Sequence, residues 1–124
     1  MLIKNLLLVG AGGAIGSIMR YLLFLITISK NFPFATFIVN IAGSFFIGIL
    51  LALSIKNNIS DNGWRFLAIG ICGGFTTFSA FSLEGFQMLQ QQRYFVFLLY
   101  FIVSIAGGLA ATYAGYILTN NFSQ

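Results

Sequence analysis

The chain has no histidine, one cysteine, one proline and only two acidic residues among 124 positions. Each shortage closes off a kind of chemistry. Without histidine and with Cys72 alone, zinc and haem ligation and histidine-based triads lack their groups. A single cysteine cannot form an internal disulfide, and Cys72 reads as a small buried apolar residue. The two carboxylates, Asp61 and Glu84, stand far apart in the chain, so paired acid–base work has no obvious site. These absences argue against an enzyme. Charge is scarce as well, at 6% of residues, where a soluble domain carries about 25%. The bases Lys4, Arg20, Lys30, Lys56, Arg65 and Arg93 give a net charge of +4 but form no patch, which argues against nucleic acid as a partner.

What is abundant is apolar. Hydrophobic residues make up 59% of the chain, phenylalanine supplies 15 positions, and mean hydropathy is +0.97. These numbers exclude disorder and point to an integral, all-α membrane protein in contact with lipid. A helix crossing the hydrocarbon core needs about 20 apolar residues. Four stretches qualify: 5–28, interrupted only by Arg20; 34–55, uncharged and preceded by Pro33; 66–90, interrupted only by Glu84; and 94–118, uncharged. Proline loses little at a helix start, where its missing N–H would be unpaired anyway. Lys4 and the apolar residues after it resemble the start of a signal peptide. The apolar run continues to Ile28, so cleavage would destroy the first span. The expectation is a single four-span unit.

With four spans, Lys4, Lys56 and Arg65 share one side, and Lys30 and Arg93 lie on the other. The positive-inside rule has almost nothing to act on. The balance is either chance in a small count or a sign of dual topology, with copies inserted both ways and paired as an antiparallel dimer.

Glycine occupies 14 positions in a pattern. Gly12 and Gly16 are spaced like Gly70 and Gly74, and Gly107, Ala111 and Gly115 continue the small-xxx-small series. Such residues let helix backbones approach closely in lipid. The run from Gly10 to Gly16 lacks the spacing of a dinucleotide loop, and no acid follows at the required distance.

Polar groups inside spans are costly and are functional candidates by default. Span two carries Asn40 and, one turn on, Ser44. Asn40 serves either as an interhelical hydrogen bond or as a donor to an anion on a pathway. Span three holds Gly73-Gly-Phe-Thr-Thr-Phe-Ser-Ala-Phe-Ser-Leu-Glu84, the poorest helix-forming stretch in the chain. It reads as a helix broken mid-membrane within this stretch, or as a continuous helix whose hydroxyls bond back to the preceding turn. A break at membrane depth requires freed backbone to be buried in protein or to line a cavity, where it can hold an ion. Phe78 and Phe81 share one helical face, with Ser79 and Ser82 on a neighbouring one. Phenylalanine edges carry positive charge and would favour a small anion. Arg20 and Glu84 lie toward the ends of their spans, where they line a wet vestibule or snorkel to the interface. In span four, Ser104 and Thr112 fall on one face as further candidates.

These segments together resemble the Fluc/CrcB family of bacterial fluoride channels. The likeness rests on Gly12-Gly-Ala-Ile-Gly16 leading to Arg20-Tyr21, on Thr36-Phe-Ile-Val-Asn40-Ile-Ala-Gly-Ser44, and above all on Gly70-Ile-Cys-Gly-Gly-Phe-Thr-Thr-Phe-Ser-Ala-Phe-Ser-Leu-Glu84. The resemblance implies an antiparallel, dual-topology homodimer in the bacterial plasma membrane, through which fluoride leaves the cytoplasm passively. It places fluoride against Phe78, Phe81 and the Asn40 amide, with Thr77, Ser79 and Ser82 beside them and Ser104 and Thr112 as weaker members. It puts a structural sodium ion at the dimer centre, on carbonyls at Gly73 and Thr76, and assigns Arg20 and Glu84 supporting places. Ala80 departs from the threonine of many members.

Two other readings compete. A small proton-coupled multidrug exporter also has four spans and dual topology, but needs a titratable group on its pathway. Span one offers no carboxylate, and Glu84 sits near the end of span three. In a non-transporting assembly protein, Asn40, Phe78 and Phe81 would matter only for packing.

Overall fold

The computed structural model describes residues 1–122, and among them every regular element is a helix. Helix α1 spans Leu2–Ile26 and α2 spans Phe34–Ile55. Next comes α3, residues 61–75, in which α-helical turns at Asp61–Trp64 and Gly73–Phe75 flank a wider π-helical stretch, Arg65–Cys72. Helix α4 spans Phe78–Gln90 and α5 spans Tyr94–Phe122. Among the described residues, four stretches are long and apolar enough to cross a membrane, with α3 and α4 together forming the third, Asp61–Gln90.

The helix ends depart from the apolar runs for local reasons. Helix α1 takes in Lys4 and stops at Thr27, whose N–H still reaches the Leu23 carbonyl at 3.1 Å. Helix α3 begins ahead of residue 66 because Ser60 caps it, its side chain accepting the Gly63 N–H at 3.1 Å. Helix α5 continues beyond residue 118, and Lys56 Nζ donates to the Asn120 carbonyl at 2.8 Å, tying it to the end of α2. Helices α2 and α4 close in the same way. A left-handed residue follows each, Asn57 with φ 56° and Gln92 with φ 57°. The next N–H folds back, Asn58 to the Leu53 carbonyl and Arg93 to the Met88 carbonyl, which is the paired-bond ending that satisfies final-turn carbonyls.

Two seams hold the bundle. Helix α1 lies along α3 and α2 lies along α5, each pair parallel. In the first seam Gly12 and Gly13 meet Gly70 and Gly74, and Gly16 lies on the backbone of Ile71 and Phe75. A Cβ on Gly70 would stand 2.8 Å from the Gly12 Cα, closer than atoms can pack. In the second, Gly48 lies against the Thr112 carbonyl and Gly115 against the Phe45 carbonyl. The small-residue spacing therefore marks these contacts, as the absence of a hydrophobic force between helices in lipid requires.

The third span is interrupted, but not at the glycines. Gly73 keeps helical angles, with φ −63° and ψ −36°, and Gly74 is taken up by its contact with Gly13. The interruption falls at Thr76 and Thr77, which are extended with ψ of 155° and 110°. Glycine's low helix propensity is outweighed here by its use as a contact surface.

Candidate functional site

The extended pair leaves backbone groups without helical partners, and Asn40 meets both groups of Thr77. Asn40 Oδ1 accepts the Thr77 N–H at 2.8 Å, and Asn40 Nδ2 donates to the Thr77 carbonyl at 3.2 Å. One amide thus fastens α2 to the interruption and keeps a second N–H on Nδ2. Gly43, one turn along α2, has no room for a side chain because the Thr76 methyl fills that space. Thr77 is buried, and its hydroxyl caps α4 by accepting the Ala80 N–H at 3.2 Å, with Ser79 Oγ 3.1 Å away. The Thr76 hydroxyl donates to the Cys72 carbonyl at 2.9 Å, whereas the Thr76 carbonyl accepts no hydrogen bond among the described residues. Arg20 reaches the same region from α1, Nε donating to the Gly74 carbonyl at 3.0 Å. A cation thus lies at the negative end of α3.

An open crevice of about 410 Å³ runs beside the interruption, lined by Asn40, Gly43, Ser44, Gly73, Thr76 and Phe78 among others. Phe78, which lines it, and Phe81 differ sharply. Phe78 is 78% exposed and Phe81 only 6%, although their rings lie 5.8 Å apart. Helical spacing puts them on one face, but Phe81 turns into the bundle against Tyr100 and Phe101. Ser79 and Ser82 are exposed. In α5, Thr112 donates its hydroxyl back to the Gly108 carbonyl at 3.1 Å. The buried Ser104 hydroxyl has no hydrogen-bond partner among the described residues. The interruption therefore gathers Asn40, Gly73, Thr76, Thr77 and Phe78, while Thr112 spends its hydroxyl within its own helix.

Glu84 sits apart from Arg20, and the two do not pair. Its carboxylate accepts from Thr36 at 2.5 Å and from Tyr100 at 2.8 Å. Thr36 lies near the start of α2, Tyr100 near the start of α5 and Glu84 midway along α4, in the second half of the third span, so the three meet toward one end of the bundle. Glu84 lines a cavity of about 290 Å³ there, with Phe32, Thr36 and the cations Lys30 and Arg93. Arg20 does not line it. Arg93 closes one side by donating to the Asn31 carbonyl in the α1–α2 connection.

Sequence reasoning missed Tyr100, Thr36 as a partner of Glu84, and Phe32. Tyr100 has no exposed surface and forms the bundle core with Phe81 and Met88. A signal was present: a lone acid inside an apolar span requires donors, and these two hydroxyls lie at the matching depth.

The profile of the family described as "CrcB-like protein, Camphor Resistance (CrcB)" matches residues 7–116. The chain is 47% identical to the "Fluoride-specific ion channel FluC" of Azobacteroides pseudotrichonymphae genomovar. CFP2, over 98% of this chain and 100% of that protein. It is 47% identical to the protein of the same name in Leptospira interrogans serogroup Icterohaemorrhagiae serovar copenhageni, covering 96% of this chain and 97% of the other. It is 48% identical to that of Chlorobium luteolum, covering 96% and 95%. Helices able to span a membrane along nearly the whole matched length make this a multi-pass membrane protein, and the chain belongs to the CrcB-like family.

Proposed function

We propose that this chain is the subunit of a fluoride-selective passive channel that lets fluoride leave the bacterial cytoplasm across the plasma membrane. Membership sets it among ion channels, not enzymes. The observation that carries the reading is the interrupted third span, with Asn40 fastened across Thr77 and an open crevice beside it. Irregular backbone at membrane depth is buried in protein or lines a cavity, and beside an open crevice it can serve an ion.

In this reading fluoride sheds water onto graded donors: the free Asn40 N–H, the Ser79 and Ser82 hydroxyls and the edges of Phe78 and Phe81. Thr77 acts by holding the interruption open. Ser104 joins the path through its unpartnered hydroxyl, with Thr112 a weaker member. Several weak sites allow a small, strongly hydrated anion both to enter and to leave. Arg20 supports the end of α3, and Glu84 shapes the vestibule.

The functional unit is an antiparallel, dual-topology homodimer. The exposed Phe78 ring and the crevice beside it suit a face completed by a second copy. A sodium ion fits at its centre on the carbonyls of Gly73 and Thr76. Thr76 offers a carbonyl that accepts no hydrogen bond among the described residues, and hard cations take such oxygens where helices unwind. The ion would supply charge that holds two interrupted helices together. A proton-coupled exporter fits less well, because Glu84 is already engaged by two hydroxyl donors.

The test is efflux from liposomes containing the purified protein, followed with a fluoride electrode and with chloride efflux in parallel. Fast fluoride release without chloride release and without a proton gradient supports the channel. A folded protein that releases no fluoride refutes it.

A further inference from the structure

Four aromatic rings form an unbroken file from the Glu84 cavity to the interruption in the third span. Phe32, in the α1–α2 connection, lines the cavity beside Lys30 and Arg93. Its ring stands 5.3 Å from that of Tyr100 at 79°, an edge-to-face contact. Tyr100 stands 5.0 Å from Phe81 at 60°, and Phe81 stands 5.8 Å from Phe78. Phe32 is thus the ring at which the open cavity meets the file. It is also held in place. A second edge contact, to Phe37 at 6.0 Å and 71°, flanks it, and Arg93 pins the carbonyl of the preceding residue, Asn31.

We infer that Phe32 forms the vestibule end of the anion path and determines how readily a small anion is taken in. The inference rests on the channel reading proposed above and adds a residue to it. The physical case is one of sequence along the path. Lys30 and Arg93 concentrate anions in the cavity, and an anion leaving water next needs a partial positive charge that does not bind it too firmly. A ring edge offers that. The Glu84 carboxylate, engaged by Thr36 and Tyr100, would repel an anion that approached it directly. The path therefore favours the ring over the acid.

The experiment measures fluoride efflux against fluoride concentration for wild type, Phe32→Leu, Phe32→Met and Phe32→Tyr, with Phe81→Ile alongside. Thermal unfolding in detergent is recorded for each. Leucine and methionine keep apolar bulk and remove the ring edge, while tyrosine keeps it. If Phe32 receives the anion, both aliphatic variants raise the half-saturating fluoride concentration by about tenfold, and Phe32→Tyr behaves as wild type. Wild-type concentration dependence in either folded aliphatic variant, with Phe81→Ile impaired, overturns the assignment of Phe32 alone. Equal impairment of the tyrosine and aliphatic variants, tracking lost stability, overturns it in favour of packing. No fluoride efflux from wild type refutes the channel reading beneath it.

Discussion

Replacing Asn40 with aspartate separates the two tasks its amide performs. Asp retains an oxygen where Oδ1 accepts the Thr77 N–H at 2.8 Å. It loses the Nδ2 donor that meets the Thr77 carbonyl at 3.2 Å, setting oxygen against oxygen. The lost bond costs about 1 kcal/mol, and the unpaired carbonyl adds roughly 1–3 kcal/mol. The fold therefore weakens by a few kcal/mol. The effect on an anion is larger. A carboxylate about 4 Å from a monovalent anion opposes it by roughly 4 kcal/mol at an effective dielectric constant of about 20. That lowers occupancy by close to a thousandfold. The expected result is a folded protein with modestly reduced thermal stability and fluoride efflux near background. Efflux is read with a fluoride electrode on liposomes, and stability by unfolding in detergent. Undiminished fluoride efflux from folded Asn40→Asp would refute both the path and the geometry on which it is drawn.

Four further outcomes follow from contacts elsewhere. Phe81→Ile removes a ring from the aromatic file and lowers fluoride efflux, while its size-exclusion profile in detergent stays that of wild type. Glu84→Gln keeps an acceptor for one hydroxyl and leaves efflux within about tenfold of wild type, whereas complete loss of flux with folding intact would make Glu84 part of the conducting machinery. Gln92→Gly relieves a left-handed conformation at a non-glycine residue and raises stability by about 1 kcal/mol, measured by thermal unfolding. Gly48→Val drives a side chain into the Thr112 carbonyl and costs at least about 1–3 kcal/mol of packing strain, seen as loss of monodisperse protein in detergent.

The four spans were legible because lipid demands long apolar runs and this chain contains little else. The seams were legible in part, since glycines a turn apart announce close contact without naming the partner helix. Helix propensity marked the stretch from Gly73 to Glu84 as the weak one without saying at which residue it would open. The interruption lies at Thr76 and Thr77 because α1 presses on Gly74 and because Asn40 and the Thr77 hydroxyl supply the bonds an extended pair needs. Asn40 stood out as polar, but its backbone partner depends on the register between α2 and the third span, which periodicity does not carry. The same holds for Arg20 and Glu84, which resemble a pair in a list of charges. In space each answers a different need, a helix end for Arg20 and two hydroxyls for Glu84. Phe32 escaped notice because one phenylalanine in a phenylalanine-rich chain carries no distinguishing mark.

The α1–α3 seam has a mechanical consequence. Its contacts join main chain to main chain, through Gly12, Gly13 and Gly16 on one side and Gly70 and Gly74 on the other. A joint without side chains has no rotamers through which to give, and it loses no side-chain entropy on forming. Displacement of α1 is therefore passed undamped to the last turn of α3, where the Arg20 bond to the Gly74 carbonyl transmits it again. The two extended threonines follow directly. Helix α1 is thereby the frame against which the interruption is held, and at Gly12 and Gly16 that frame has no room for a side chain.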